Sequence, residues 1–227
     1  MSNLFNWQKE AEKQWDKRAD FWTKSSRDMW DEGSRSTILP FFKKYVQPIG
    51  KVIDIGCGDG YGSYKLTSEG GYRVVGVDLS SEMIRLAKER ESEELTFLQG
   101  DINQLPFENE EAAAILTINC IEWTSDPLRA LEELRRIVKP AGYLCIAILG
   151  PTSHPRENSF NRLYQKDVIC NTMMPWEFEQ LATENGWNLV DDLAVYKRGV
   201  TEQLTVHLSK ELKQSLSFMW VFMLKKR

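Results

Sequence analysis

The chain has 227 residues, 42% of them hydrophobic and 27% charged, with 14 Gly and 8 Pro. That composition belongs to ordinary globular domains and excludes collagenous and largely disordered chains. Lys and Arg number 29 against 33 Asp and Glu, a net charge of −4, so no broad basic surface advertises a nucleic-acid or anionic-membrane partner. The longest apolar stretches, such as Ala112 to Ile118, fall far short of the roughly 18 residues of a membrane span. The opening MSNLFNWQKEAEKQW lacks the apolar core of a signal peptide, and a cytoplasmic location is expected.

The length suits one main domain with a small appendage. Between Ser2 and Glu32 there is no Gly or Pro, and Trp7, Trp15, Trp22 and Trp30 recur at steps of 8, 7 and 8. At 100° per residue these steps keep the four indoles on one broad face of an N-terminal amphipathic helix. Residues 1–34 are therefore expected to pack an aromatic face on the body, with a lid over a pocket as the functional reading.

A second helix is predicted from Thr37 to Val46, ending at Pro48 and Gly50. Then the rhythm changes. Short β-branched runs at 52–55, 74–77, 95–98, 114–118 and 144–149 alternate with helix-period segments at 61–67, 82–91 and 128–138. Such alternation predicts an α/β, doubly wound, mostly parallel sheet with helices on both faces. Ser125 and Asp126 offer a cap, Pro127 suits a first helical turn, and Pro140 with Gly142 is expected to stop that helix before the next strand. Residues 150–172 lose all period and read as a loop-rich insertion, expected to serve as a substrate cover. A helix from 175 to 184, strands at 189–196 and 216–224, and a short polar helix near 202–213 complete the prediction.

The stretch Lys51 to Gly62, KVIDIGCGDGYG, carries the clearest chemistry. An apolar strand leads into Asp54 and then Gly56, Gly58, Gly60 and Gly62. In a doubly wound sheet a glycine turn at a strand's carboxyl end lets backbone approach a nucleotide-like ligand, with a helix N-terminus behind it. The dinucleotide fingerprint GxGxxG would need glycine at 61 or 63, where Tyr61 and Ser63 stand. The second strand ends VVGVD at Asp78, 24 residues after Asp54, a carboxylate placed to accept bonds from ribose hydroxyls.

The acid-x-Gly-x-Gly-x-Gly pattern, LSSEMIRLAKE after Asp78, GDINQLPF from Gly100, ILTINCIEW and RRIVKPAGYLCIAI resemble, in order over about residues 35–150, the landmarks of the class I S-adenosylmethionine-dependent methyltransferases. The nearest look is to small-molecule enzymes of the quinone-biosynthesis C-methyltransferase kind. The resemblance implies a seven-stranded methyltransferase domain over 35–227, with S-adenosyl-L-methionine as cofactor. It also implies Leu79 and Ile102 against the adenine and Asp101 at its amino group. The usual Phe-Asp and Pro-Gly-Gly of the family fall here on Ala112-Ala113 and Pro140-Ala141-Gly142, and Glu122 or Trp123 stands where relatives often carry His.

Asn119 could hold the methionine end of the cofactor, or simply make a strand-end turn. Arg35 could pair with the cofactor carboxylate, or be solvated. Cys57, inside the glycine turn, suits a small buried filler. His154, Glu122 and Tyr164 are weak candidates for a general base. The four cysteines form no CxxC pair and the two histidines stand alone, so no metal is expected. A small-molecule methyl acceptor is favoured over RNA or protein, since Asn119 is followed by Cys-Ile-Glu and not by Pro-Pro-Tyr. A binding protein that holds the nucleoside without turnover, and an RNA or protein methyltransferase, remain alternatives.

Overall fold

Seven strands and eight α-helices follow one another in a computed structural model that describes residues 5–227. In chain order they are α1 (Trp7–Asp31), α2 (Ile38–Tyr45), β1 (Lys51–Ile55), α3 (Tyr61–Ser68), β2 (Arg73–Asp78), α4 (Ser81–Ala87), β3 (Leu95–Gln99), β4 (Ala112–Ile118) and α5 (Pro127–Ile137). After them come β5 (Val138–Leu149), α6 (Pro175–Glu184), β6 (Trp187–Tyr196), α7 (Glu202–Thr205), α8 (Lys210–Ser215) and β7 (Ser217–Lys226). Short 3-10 segments occupy Lys88–Arg90, Ile121–Trp123 and His154–Tyr164.

The strands form one sheet in the order β3-β2-β1-β4-β5-β7-β6. β1 to β5 are parallel, and β7 runs antiparallel between β5 and β6. This is the mostly parallel, doubly wound sheet that the alternation predicts. β1 leads to β2 on one side while β4 lies on its other side, so the strand order reverses beside β1. A crevice opens at the carboxyl ends of the strands at such a point, and ligands of open α/β sheets bind there.

Side chains alternate across the sheet. Val52, Val74, Ala114 and Leu116 join Phe42, Leu66 and Ile84 of α2, α3 and α4 in one buried layer. Ile53, Ile55, Val77 and Ile115 join Leu131, Leu134 and Phe178 of α5 and α6 in the other. Burial on both faces explains why these strands read as continuous apolar runs.

The local starts follow from capping. Asn6 accepts the Lys9 amide at 2.9 Å, Ser80 accepts the Met83 amide at 3.1 Å, and Asp126 accepts the Arg129 amide at 3.0 Å ahead of Pro127. Each satisfies an orphan donor of a helix start.

Three boundaries differ from the sequence reading. β5 begins at Val138, so the strand runs through Pro140 and Gly142. Its pairing jumps from Ala112 opposite Val138 to Ala114 opposite Tyr143, a bulge in which Ala141 takes φ +57°, where glycine would be unstrained. The insertion at 150–172 holds the 3-10 segment His154–Tyr164 and packs through Ile169 and Cys170 against Ala11, Trp123 and Leu149. The polar helix at 202–213 divides into α7 and α8, because Ser209 caps the second, its hydroxyl accepting from the Leu212 amide.

Candidate active site

β1, β2, β3 and β4 each end at a crevice, and α1 lies across it. The resulting cavity, about 1110 Å³ with its open mouth included, is lined by Asp54, Gly56, Cys57, Gly58, Asp78, Leu79, Asp101, Ile102 and Asn119 on the sheet side. Trp7, Trp15, Trp22 and Trp30 of α1 line it from above, as the 8, 7 and 8 spacing anticipates.

The glycine turn is built for close approach. Gly56, Gly58 and Gly60 take φ of +74°, +56° and +77°, conformations that carry no steric cost for glycine. A Cβ on Gly56 would lie 2.7 Å from the Cys120 side chain, and one on Gly60 2.6 Å from the Phe97 ring. The Gly56 and Cys57 amides both donate to the Val77 carbonyl, at 2.7 and 3.0 Å, which ties the turn to the end of β2.

Asp78 sits where its spacing puts it, accepting the Gly58 amide at 2.9 Å on one oxygen and the Ser80 amide at 2.9 Å on the other. Burial raises its proton affinity, and the amide donors work against that rise. Asp54, 3% exposed, accepts the Ser63 hydroxyl at 2.6 Å. Burial pushes its carboxyl up to about 7, the Ser63 bond opposing and the Asp78 charge adding. Asp101 accepts from the Asn103 amide at 3.0 Å, and Asn103 Nδ2 donates to Thr124 Oγ1 at 2.7 Å. Ile102 and Leu79 both reach the cavity wall.

Arg35 is 4% exposed, which corrects the solvated alternative. Its guanidinium lies 4.6 Å from the centroid of the Trp22 ring and 6.0 Å from that of Trp30, and it donates to the Met29 sulfur. Burial pulls its pKa down to about 10, with the Asp59 and Asp54 charges opposing. Among the described residues no carboxylate pairs with it, so a buried cation faces the cavity ready for an anionic group. Asn119, at φ +54°, donates its amide to the Ala147 carbonyl at 3.0 Å, and its buried Oδ1 has no partner. Buried polar atoms normally have a partner. An orphan acceptor and a buried guanidinium without a carboxylate partner, both on residues that line the cavity, fit the ammonium and carboxylate of an amino-acid tail.

The three candidate bases do not line this cavity. His154 is 86% exposed at its side chain, 3.2 Å from Glu157. Tyr164 is 66% exposed and meets the Phe160 ring edge-on. Glu122 is fully buried and accepts the Leu149 amide at 2.5 Å, while Arg156 binds the carbonyls of Leu149 and Gly150 at 2.5 and 2.8 Å. Burial raises the Glu122 pKa, the Leu149 bond opposing. Of the pair at 122 and 123 it is Trp123 that faces the cavity. The 150–172 insertion packs through Ile169 and Cys170 on Ala11 and Trp123, two residues that line the cavity, and its own residues stand behind that wall. Cys57 and Cys120 are kept protonated by burial.

Several members of the site have no local sequence signal. Ser26 of α1 donates to Asp59 of the glycine turn at 2.7 Å. Asp16 accepts the Ser80 hydroxyl at 2.6 Å and the Glu82 amide at 3.2 Å. Lys65 reaches Asp31 at 2.7 Å, and Trp7 Nε1 donates to the Trp123 carbonyl at 2.7 Å. These contacts fasten α1 along its length over the strand ends.

Comparison with known proteins agrees with this geometry. Residues 53–146 match the model of a family described as "Methyltransferase domain". The chain is 35% identical over 99 residues to malonyl-[acyl-carrier protein] O-methyltransferase of Erwinia pyrifoliae, covering 44% of this chain and 37% of that one. It is 33% identical over 125 residues to demethylmenaquinone methyltransferase of Lactococcus lactis, covering 52% and 49%. The chain thus spans about half or less of the length of such curated relatives. Among solved structures, a chain from the complex between the Haloferax volcanii Trm112 methyltransferase activator and a methyltransferase superposes with a TM-score of 0.72 at 18% identity, covering 95% of this chain and 96% of that one. At that identity the likeness speaks for the fold. The matched segment holds the glycine turn, Asp78, Asp101 and Asn119, so the part of the chain that builds the sheet side of the cavity is the part similar to methyltransferase domains.

Proposed function

We propose that this protein transfers the methyl group of S-adenosylmethionine to a small-molecule acceptor by in-line displacement. One observation carries the reading: the glycine turn after β1, Asp78 at the end of β2, Asp101 after β3 and Asn119 after β4 open into one cavity closed by an aromatic helix. In this reading Asp78 accepts from the ribose hydroxyls, Leu79 and Ile102 flank the adenine, and Asp101 accepts from its amino group. The turn at Asp54, Gly56, Cys57, Gly58 and Gly60 passes under the methionine portion. Arg35 pairs with the carboxylate of that portion, and Asn119 Oδ1 accepts from its ammonium.

The cofactor supplies an already activated sulfonium methyl. What the protein must add is alignment and exclusion of water. Residues 1–34 act as the lid on the 35–227 domain, and the roof of indoles provides that exclusion. The small-molecule acceptor is supported by the net charge of −4, which offers no basic path for a nucleic acid. A place beside the quinone-biosynthesis C-methyltransferases rests on the sequence landmarks and on the Lactococcus relative. Four free cysteines fit action in a reducing, cytoplasmic setting.

Calorimetric titration of S-adenosylmethionine and S-adenosylhomocysteine, with NADH as control, tests the donor assignment. Binding of both sulfur nucleosides, its loss in Asp78→Ala and no response to NADH are expected. A well-folded wild type that binds neither nucleoside would overturn it.

A further inference from the structure

A second cavity opens on the 150–172 insertion, about 1130 Å³ with its open mouth included. It shares no lining residue with the donor cavity, and nothing in the methyl-transfer reading uses it. One wall is the 3-10 segment His154–Tyr164, 11 residues long, where runs beyond three or four residues are uncommon. In that helix side chains three positions apart lie on one ridge. The sequence SHPRENSFNR puts Ser153, Arg156, Ser159 and Arg162 at steps of three, and all four line the cavity. Phe160 and Met174 bring apolar surface to the same space.

Arg156 is 8% exposed, although arginine is almost never buried without a partner for its charge. Its Nε donates to the Gly150 carbonyl at 2.8 Å and its Nη2 to the Leu149 and Met173 carbonyls at 2.5 and 2.6 Å. Those neutral acceptors hold the planar group in place and leave its charge unmatched. Nη1 is buried with no partner, where buried polar atoms normally find one. The nearby carboxylates are engaged elsewhere: Glu122 accepts the Leu149 amide, and Glu157, which lines this cavity, pairs with His154 at 3.2 Å. Among the described residues neither Arg156 nor Arg162 enters an ion pair. Arg162 spends Nη1 on the Ser159 carbonyl and hydroxyl, at 2.9 and 3.0 Å, which aligns it on the ridge and leaves its other donors free.

We propose that this ridge is a second ligand site, separate from the donor cleft, for a small molecule that carries an oxyanion on an apolar body. Arg156 and Arg162 hold the oxyanion, a phosphate or a carboxylate, since the guanidinium fork matches the oxygens of either. The apolar body lies on Phe160 and Met174. A free molecule fits better than a membrane surface, because a guanidinium as buried as that of Arg156 is met only by a ligand that enters the concavity. The site does not depend on the identity of the methyl acceptor.

The test is calorimetric titration of the purified full chain with octyl phosphate, octanoate, inorganic phosphate and octyltrimethylammonium, each below its micelle concentration and at matched ionic strength. One equivalent of octyl phosphate or octanoate per chain is expected to bind. Octyl phosphate should bind at least about tenfold more tightly than inorganic phosphate, a gain that burying about two methylenes already supplies. Saturating S-adenosylhomocysteine should leave this binding unchanged, which separates the site from Arg35 in the donor cavity. Arg156→Met would strip three carbonyls of their donor and disturb the fold, so Arg162→Gln, at an exposed side chain, carries the decision. That variant should unfold at the wild-type temperature and bind octyl phosphate about tenfold more weakly, and Phe160→Ser should weaken octyl phosphate more than inorganic phosphate. No binding of either amphipathic anion would overturn the proposal, as would equal affinity in Arg162→Gln and wild type. Displacement by S-adenosylhomocysteine, or octyltrimethylammonium binding as well as octyl phosphate, would overturn it equally.

Discussion

Replacing Asp54 by Asn removes a buried charge while keeping an oxygen to accept the Ser63 hydroxyl at 2.6 Å. In the folded protein this carboxyl titrates at about 7 against an ordinary value of 3.8, burial being the main cause. Between those two pH values the unfolded chain has lost the proton and the folded chain still holds it, so stability falls as pH rises through the window. The separation corresponds to about 4 kcal/mol, fully lost above pH 7. Asp78 and Glu122 are also shifted upward by burial, so the slope of the wild type alone does not isolate Asp54. The informative quantity is the difference between Asp54→Asn and wild type in urea unfolding free energy from pH 4 to pH 8. The variant should gain on the wild type by up to about 4 kcal/mol as pH rises, because it has no charge to bury. A flat difference curve, or one that declines with pH, would refute the placement of Asp54 as a desolvated carboxyl. Binding of S-adenosylmethionine brings an ammonium to this region, so the wild type should bind it more tightly above pH 7 than at pH 5, and Asp54→Asn should lose that dependence.

Gly56→Ala forces a side chain onto φ +74° and to 2.7 Å from Cys120. A loss of about 1–3 kcal/mol in thermal unfolding is expected, together with loss of cofactor binding by calorimetry. Asp16→Ala removes the acceptor for the Ser80 hydroxyl and the Glu82 amide. Amide exchange across residues 7–31 should accelerate several-fold while the sheet stays protected, and uniform protection would show that the latch does not hold α1. His154→Ala and Tyr164→Phe alter exposed side chains outside the cavity, so turnover should change less than about twofold, against the 10²-fold or greater loss that removing a general base would bring. Arg35→Lys keeps the charge but loses the planar stack on Trp22, and cofactor affinity should drop by about tenfold.

Most of the fold was legible because its signals are local. Glycines at 56, 58 and 60, the acid closing VVGVD and the proline at 127 each act within one turn of chain. The doubly wound architecture follows from an alternation of periods that any parallel sheet with crossovers imposes. The tryptophan spacing in α1 was equally readable, since a helix fixes which side chains share a face. Boundaries failed where pairing with a neighbour competes with local preference: β5 extends through Pro140 and Gly142 because Val138 pairs with Ala112 across the bulge.

Tertiary structure alone decided what those elements meet. Arg35 reads as a surface residue by type, yet α1 and α2 enclose it with Trp22 and Trp30. Glu122 and Trp123 are adjacent in sequence, but the 3-10 turn sends one toward Leu149 and the other into the cavity. His154, the most reactive residue type in its segment, points to water. The clamps from Asp16, Ser26 and Asp31 join residues more than 30 positions apart. A carboxylate or hydroxyl takes its role from whatever donor the fold carries to it, and no pattern along one chain segment encodes a partner supplied by another.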